Sequence, residues 1–319
     1  MGNFPKFLSK AFKEHASERG GILITPPVKP PNTFGTHICK PAVRPLKQYR
    51  KVAEGVYSSD IIPSGKRGLA LDKFMAKSYL ASLSKSGLGS LGPTDENWKG
   101  IFNRFDEVEK GKGLAPNRPI PEYLVDKNAS LFETFTPYFK NPTILMSGVN
   151  APQLLIGPAQ SYTGLHVENI NLASVNFLRD GKPKYWIIIP ARYRNRVLQL
   201  LKKFFPEDYK ENKDGVKCYY FECHKSFFVM PQVLRPAEPP NPFDCIKQEK
   251  GQYVVTFPGA VHMVVNIGSN CAEAINVCLP EWEEEQGRSA RDFFLPIPTR
   301  SNKQTTQTRA YFLSLEPKM

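Results

Sequence analysis

Histidine is scarce in this chain, five residues among 319, so a pattern that draws in two of them stands out. Long apolar runs are missing: none approaches the roughly 20 residues that a membrane-spanning helix needs, which excludes such a helix. The opening residues do not have the pattern of a cleavable leader. The six cysteines, Cys39, Cys218, Cys223, Cys245, Cys271 and Cys278, lack the spacing of a secreted disulfide scaffold, so reduced intracellular thiols are expected. Internal repeats and low-complexity tracts are absent too. Acidic residues fall short of basic ones, 30 against 43, leaving a net charge of +13. Such an excess favours a polyanion and works against long-range attraction of a basic peptide. The cations are spread over Lys40 to Arg50, Lys182 to Arg196 and Lys202 to Lys217, without a nucleic-acid reader's basic-aromatic pattern. Both DNA contact and a merely solvated surface remain open.

What is present suffices for one large core and a small appendage, with 41% apolar residues. Residues 1–19 read as an amphipathic helix with Phe7, Leu8, Ala11 and Phe12 at helical spacing, packed on the core. Residues 25–50 hold six prolines and read as an extended connection. Ala70 to Leu83 reads as a helix with Leu71, Phe74 and Tyr79 near one face, broken by Gly87 to Gly92. Tyr193, Val197, Leu200, Leu201 and Phe204 form a helical core stripe that Pro206 ends. Strands are expected over 143–190 and 252–280. Strand runs flanking one helical insertion suit a mainly β fold with flanking helices, a double-stranded β-helix of the jelly-roll, cupin-like kind.

His166-Val167-Glu168 and the distant His262 carry the chemistry. In a strand alternate side chains share a face, so His166 and Glu168 can point into one cavity. A second strand, reading from Gln252 to Phe257, can bring His262 alongside. Two imidazoles and one carboxylate capping one face of an octahedral metal leave three positions open, the arrangement of non-haem Fe(II) oxygenases. The bland alternative is a satisfied polar pair on a half-buried strand. Lys184 and Trp186 share a face in the same way, and a lysine there can grip one end of a dicarboxylate while the indole walls its carbon chain. The alternative is an edge lysine in water beside a core tryptophan.

These residues lie in two long stretches that resemble the JmjC oxygenases, and within them the histone demethylases with an N-terminal JmjN segment. Thr256 to Asn276 is similar to the family's third-ligand motif, and Ser174 to Trp186, with its Gly-x-Pro-Lys-x-Trp core, to its co-substrate motif. Tyr123 to Leu131 resembles the segment bearing a co-substrate tyrosine, Gly148 to Pro152 the strand entering the site, and Gly20 to Pro27 the end of the JmjN segment. The resemblance implies His166, Glu168 and His262 as ligands of Fe(II). It implies Tyr123 and Lys184 on the distal carboxylate of 2-oxoglutarate, Asn176 nearer the metal, and Trp186 and Asn276 beside it. Lys225, after His224, matches a lysine near the oxygen channel and is the candidate catalytic residue. Cys218 and His224 match two zinc ligands, but a closed site needs four, and no cysteine follows Cys278. The alternative is buried thiols and a surface histidine.

The implied organisation is a partial JmjN-like segment and connection over 1–50, a helical linker over 51–119, a JmjC catalytic domain over 120–295 and a loose tail over 296–319. The implied activity is a nuclear, Fe(II)-, O2- and 2-oxoglutarate-dependent demethylation of di- or trimethyl-lysine on the histone H3 tail, with release of formaldehyde. A methylated tail or nucleosome is then the partner. Gly148, Leu155, Asn169, Ala274 and Ile275 fall at the family's substrate pocket. Leu155 stands where the lysine demethylases carry a tyrosine, and Asn169 where an acidic residue is usual. Two alternatives therefore remain: hydroxylation of a non-histone protein, or a catalytically silent chromatin scaffold.

Overall fold

The computed structural model of the chain describes residues 4–27 except 17, 42–43, 47–61, 119–120, 124–126, 149, 152–157, 161–206, 225–235 and 243–279 except 269. In chain order the elements are α1 (Phe4–His15), β1 (Gly21–Ile24), β2 (Ala42–Val43), β3 (Lys47–Ala53), β4 (Val56–Ile61), β5 (Pro119–Ile120), β6 (Leu124–Asp126) and β7 (Gln153–Gly157). They continue with β8 (Tyr162–His166), β9 (Ala173–Gly181), β10 (Lys184–Ile189), α2 (Arg194–Phe204), β11 (Phe227–Val229), α3 (Pro231–Leu234), β12 (Asp244–Gln248), β13 (Tyr253–Thr256), β14 (Val261–Asn266) and β15 (Asn270–Val277).

Antiparallel pairing sorts these strands into two sheets. One runs β1-β13-β9-β15-β7-β6-β2, the other β12-β10-β14-β8-β11-β4-β3-β5. The central strands β10, β13 and β14 are buried on both faces, which is why runs such as Tyr185-Trp186-Ile187-Ile188-Ile189 are continuously apolar rather than alternating. The outward residues of β9, β13 and β15, namely Ala173, Val175, Phe177, Tyr253, Val255, Ile275 and Val277, pack under α1 through Leu8, Ala11 and Phe12. The outward residues of β10 and β14 join Val197 and Leu201 of α2. Between the sheets, Trp186, Ile188 and Val264 of one meet Val254 of the other. This is the expected jelly roll, with its cavity between two inner faces.

Three details differ from the sequence reading. Phe4 rather than Phe7 completes the apolar stripe of α1; Phe7 is 47% exposed, because it is Phe4, four residues before Leu8, that packs against Tyr253. Residues 51–61, expected within a helical linker, are strand: β3 and β4 form a hairpin around Glu54 and Gly55, and the glycine turns at φ 73°. Adjacent side chains on a strand point to opposite faces, so Ile275 belongs to the core under α1 and not to the pocket that Ala274 borders. The expected helix over 70–83 and the tail over 296–319 lie outside the described residues.

Candidate metal centre

His166 ends β8 and His262 sits near the start of β14, and the two strands place them as direct cross-strand partners. Their rings lie 4.1 Å apart between centroids. Glu168 leaves the strand with extended backbone, so the two-residue alternation keeps it on the side of His166. Its Oε1 stands 3.8 Å from His166 Nε2 and 3.3 Å from His262 Nε2. The ligand atoms of all three lie within 4.8 Å of one another.

The outer nitrogens orient the rings. His166 Nδ1–H donates to the Gly164 carbonyl at 2.8 Å, and His262 Nδ1–H donates to the Ala260 carbonyl at 3.1 Å. A carbonyl can only accept, so Nδ1 carries the proton and Nε2 is the atom each ring turns toward Glu168. This second set of hydrogen bonds is the support that metal-bound imidazoles require. Burial, then the nearby charges of Lys225 and His262, push the His166 pKa down to about 3. Burial works to raise that of Glu168, but the neighbouring imidazoles and Lys225 hold it well below the usual carboxylate range. A neutral imidazole and an ionised carboxylate turned toward one point suit a cation.

Lys225 adopts a left-handed backbone, φ 59°, a conformation that costs a lysine about 1 kcal/mol. Gly164 lies beneath it: a Cβ there would sit 2.7 Å from the Lys225 carbonyl carbon and 2.8 Å from the Phe227 carbonyl oxygen. The glycine therefore lets the Lys225 segment close on β8 beside His166.

A row of inward side chains runs along β10 away from the histidines. Ile188 pairs with His262, Trp186 with Val264 and Lys184 with Asn266. Four residues of strand separate His262 from Asn266, about 13 Å between Cα atoms. The indole of Trp186 lies 6.1 Å from the His262 ring. Its Nε1–H donates to Gln248 Oε1 at 2.9 Å, and Gln248 Nε2 in turn donates to the carbonyls of Asn176 and Gln252, both at 3.0 Å. Lys184 is 4% exposed, not an edge lysine in water. Its Nζ donates to Asn266 Oδ1 at 2.6 Å. Among the described residues no carboxylate pairs with it, and burial brings its pKa down to about 7, against a smaller opposing effect of Cys271. A buried cation with no counter-ion is costly unless something anionic joins it.

Across the cavity, Asn176 and Asn276 share the inner face of the seven-stranded sheet, pairing with Ala274 and Ser174. Asn276 Nδ2 donates to the Ala173 carbonyl at 3.4 Å. The Oδ1 atoms of both asparagines are buried without a partner among the described residues, and buried unpaired acceptors of this kind mark a place for ligand or ordered water. Ser174 and Thr256 hydroxyls bond each other beside them at 2.8 Å. Leu155 and Ala274 are half-buried on the same face, joined through Ala272 and Gln153. Asn169 is exposed at the turn after Glu168.

Tyr123, Gly148, Cys218 and His224 lie outside the described residues. Sequence reasoning did not single out Asn266, Ser161 or Gln248. Asn266 carried a usable signal: four residues past His262 on one strand, it must share that residue's face. Gln248 carried none, since the two partners that tie it to Trp186 and Asn176 lie 62 and 72 residues away in sequence.

Residues 153–277 match the JmjC domain, hydroxylase, family. The chain is 34% identical over 203 residues to the human "Probable lysine-specific demethylase 4F", a stretch covering 60% of this chain and 30% of that protein. It is 38% identical over 191 residues to rat "Lysine-specific demethylase 4D", covering 56% of this chain and 36% of that protein. To the Arabidopsis thaliana "Lysine-specific demethylase ELF6" it is 27% identical over 264 residues, 80% of this chain and 18% of the relative. The chain thus spans about a third or less of the length of these curated relatives. With the motif residues drawn together inside a jelly roll, residues 153–277 of this chain are a JmjC domain.

Proposed function

We propose that this chain is an Fe(II)- and 2-oxoglutarate-dependent oxygenase that demethylates methyl-lysine on the histone H3 tail, acting in the nucleus and releasing formaldehyde. One observation carries the reading. Two Nε2 atoms and a carboxylate converge within 4.8 Å, on the same inner face as a buried lysine that has no counter-ion among the described residues. His166, Glu168 and His262 would hold the iron, and Lys184 the distal carboxylate of 2-oxoglutarate, with Trp186 along its chain. Asn176 and Asn276 would serve the end nearer the metal. When bound, the metal and co-substrate supply dioxygen activation coupled to decarboxylation, which oxidises an N-methyl carbon.

The chain's own work is positioning and dryness. Gly164 and Ala260 carbonyls fix the ring orientations, so the three ligands need no rearrangement to receive the metal. Gln248 braces Trp186 against the cavity and ties the two sheets together. Ile188, Val254 and Val264 pack between the sheets and keep water from the buried side. Lys225, beside the triad, would set a positive charge close to the iron site. The relatives are named lysine-specific demethylases, which favours methyl-lysine as substrate.

One observation favours a second reading, hydroxylation of a carbon that is not N-methyl. Leu155 and Ala274 give the substrate side an aliphatic wall, where the family resemblance implies a tyrosine at position 155. Mass spectrometry of methylated histone H3 peptides, incubated with Fe(II), ascorbate and 2-oxoglutarate beside a His166→Ala control, separates the two. Loss of one CH2 mass per methyl, absent in the control, is the expected result. Succinate that depends on His166 without peptide change would support the hydroxylase, and no succinate would leave a silent scaffold.

A further inference from the structure

Lys184 does not sit alone at the far end of the cavity. Asn266 Oδ1 accepts from Lys184 Nζ at 2.6 Å and from Asn270 Nδ2 at 3.0 Å, while Asn266 Nδ2 donates to Ser161 Oγ at 2.7 Å. The lysine, which can only donate, fixes which end of the carboxamide is oxygen. The peptide N–H of Asn266 also donates to the Ser161 carbonyl at 2.9 Å. Gly157 makes room for this arrangement, since a Cβ there would collide with the Asn266 amide and sit 2.7 Å from Ser161 Oγ. Asn266, Asn270, Ser161 and Lys184 are each at least nine-tenths buried.

We propose that Asn266 is a positioning residue for co-substrate selection: its neutral carboxamide holds the Lys184 ammonium in place while leaving its charge for the distal carboxylate of a dicarboxylate. The inference rests on the co-substrate reading above. An aspartate at 266 would fit the same space and satisfy the same neighbours, since Lys184, Asn270 and the Ser161 hydroxyl can all donate to it. It would also neutralise the lysine internally, and a charge already paired in a buried site has little left for a ligand. The chemistry of the pair thus calls for an amide where an acid would make the stronger bond. One of the three Lys184 N–H donors is spent on Asn266, which leaves two directed elsewhere.

The test compares the wild type with Asn266→Asp, using Mn(II) with either 2-oxoglutarate or 2-oxobutyrate, which keeps the oxo-acid end and lacks the distal carboxylate. Affinity is read by calorimetry and Tm, and turnover with Fe(II) by succinate. In the wild type the dicarboxylate binds far better than the monoacid. In Asn266→Asp that preference falls about tenfold or more, the scale of one lost charge-assisted interaction. KM for 2-oxoglutarate rises while kcat at saturation stays within about threefold, and the Tm gain from Mn(II) alone is unchanged. An undiminished dicarboxylate preference in the variant overturns the role of Asn266. A wild type indifferent to 2-oxoglutarate overturns the co-substrate reading beneath it instead. Should Asn266→Asp fail to fold, Ser161→Ala unpins the amide without changing any charge; a rise of about threefold in the 2-oxoglutarate KM is expected, and an unchanged KM overturns the proposal.

Discussion

The eight-stranded sheet turns His166, His262, Trp186, Lys184 and Asn266 toward the cavity, whereas the seven-stranded sheet turns Leu155, Ser174, Asn176, Ala274 and Asn276 toward it. The first set contains both histidines and the buried cation, and its atoms are locked by short bonds to carbonyls and amides. The second set is neutral, partly aliphatic, and leaves two buried amide oxygens without a partner among the described residues. The candidate metal-binding histidines and the buried lysine are thus gathered on one wall, where a change in any residue alters the electrostatics of the rest. The opposite wall can vary in shape and polarity at little electrostatic cost. That segregation explains how the departure at Leu155 coexists with an intact triad.

The largest effect that would break the comparison is on the charged wall. His166→Ala removes one of the three converging ligands, and turnover should fall by about a thousandfold or more, with loss of the Tm gain from Mn(II). A variant that retains most of its activity would show that the triad is not the centre. Next is Lys184→Met, which keeps the volume and deletes the charge. Binding of 2-oxoglutarate should weaken by about a hundredfold, yet the ligand-free protein should melt higher than wild type at pH 6.5. The sign follows from the lysine pKa, lowered from 10.5 to about 7 by burial. Below about 7 both folded and unfolded chains carry the proton, and the native state bears the whole cost of a buried charge. Between about 7 and 10.5 the unfolded chain holds a proton that the native one lacks, so wild-type stability rises with pH. The Tm advantage of Lys184→Met should therefore shrink as pH rises through that window, while wild-type affinity for the dicarboxylate falls.

Much of the charged wall could be read from the sequence because strand alternation is local. His166 with Glu168, and Lys184 with Trp186, each need only two residues and one period to share a face. The same rule, applied to Ala274 and Ile275, separates them, and the family resemblance obscured that by pairing them in one pocket. The helix stripe of α1 was legible in kind but not in phase, since Phe4 and Phe7 both continue an apolar pattern and only packing against Tyr253 and its neighbours chooses between them. The hairpin of β3 and β4 was hidden by its many polar residues. Gln248 shows the limit most sharply: two of its three hydrogen bonds depend on how distant strands meet, which no local period encodes.

Smaller effects sharpen the contrast. Gly164→Ala places a methyl against the Lys225 and Phe227 carbonyls, and should cost about 1–3 kcal/mol by urea unfolding. The Lys225 segment would have to retreat from His166, so turnover should fall more than metal affinity does. An alanine variant as stable as wild type would mean that the Lys225 segment yields without cost.

The mildest change addresses the neutral wall. Leu155→Ala widens the proposed substrate side by removing an aliphatic group from the sheet opposite the histidines and Lys184. The kcat/KM for a methylated peptide should shift by about tenfold to a hundredfold, the reach of a few methylenes in an apolar pocket. The KM for 2-oxoglutarate and the Mn(II)-dependent gain in Tm should stay within about twofold of wild type, because neither depends on that face. Comparing trimethylated with dimethylated peptides then asks whether Leu155 sets the choice of substrate or merely fills space. A changed ratio between them assigns selection to this wall, and a uniform loss assigns it only packing. If the 2-oxoglutarate KM moves instead, the two inner faces are coupled through Gln248 and the Asn176 backbone, and the separation of charge recognition from substrate choice does not hold.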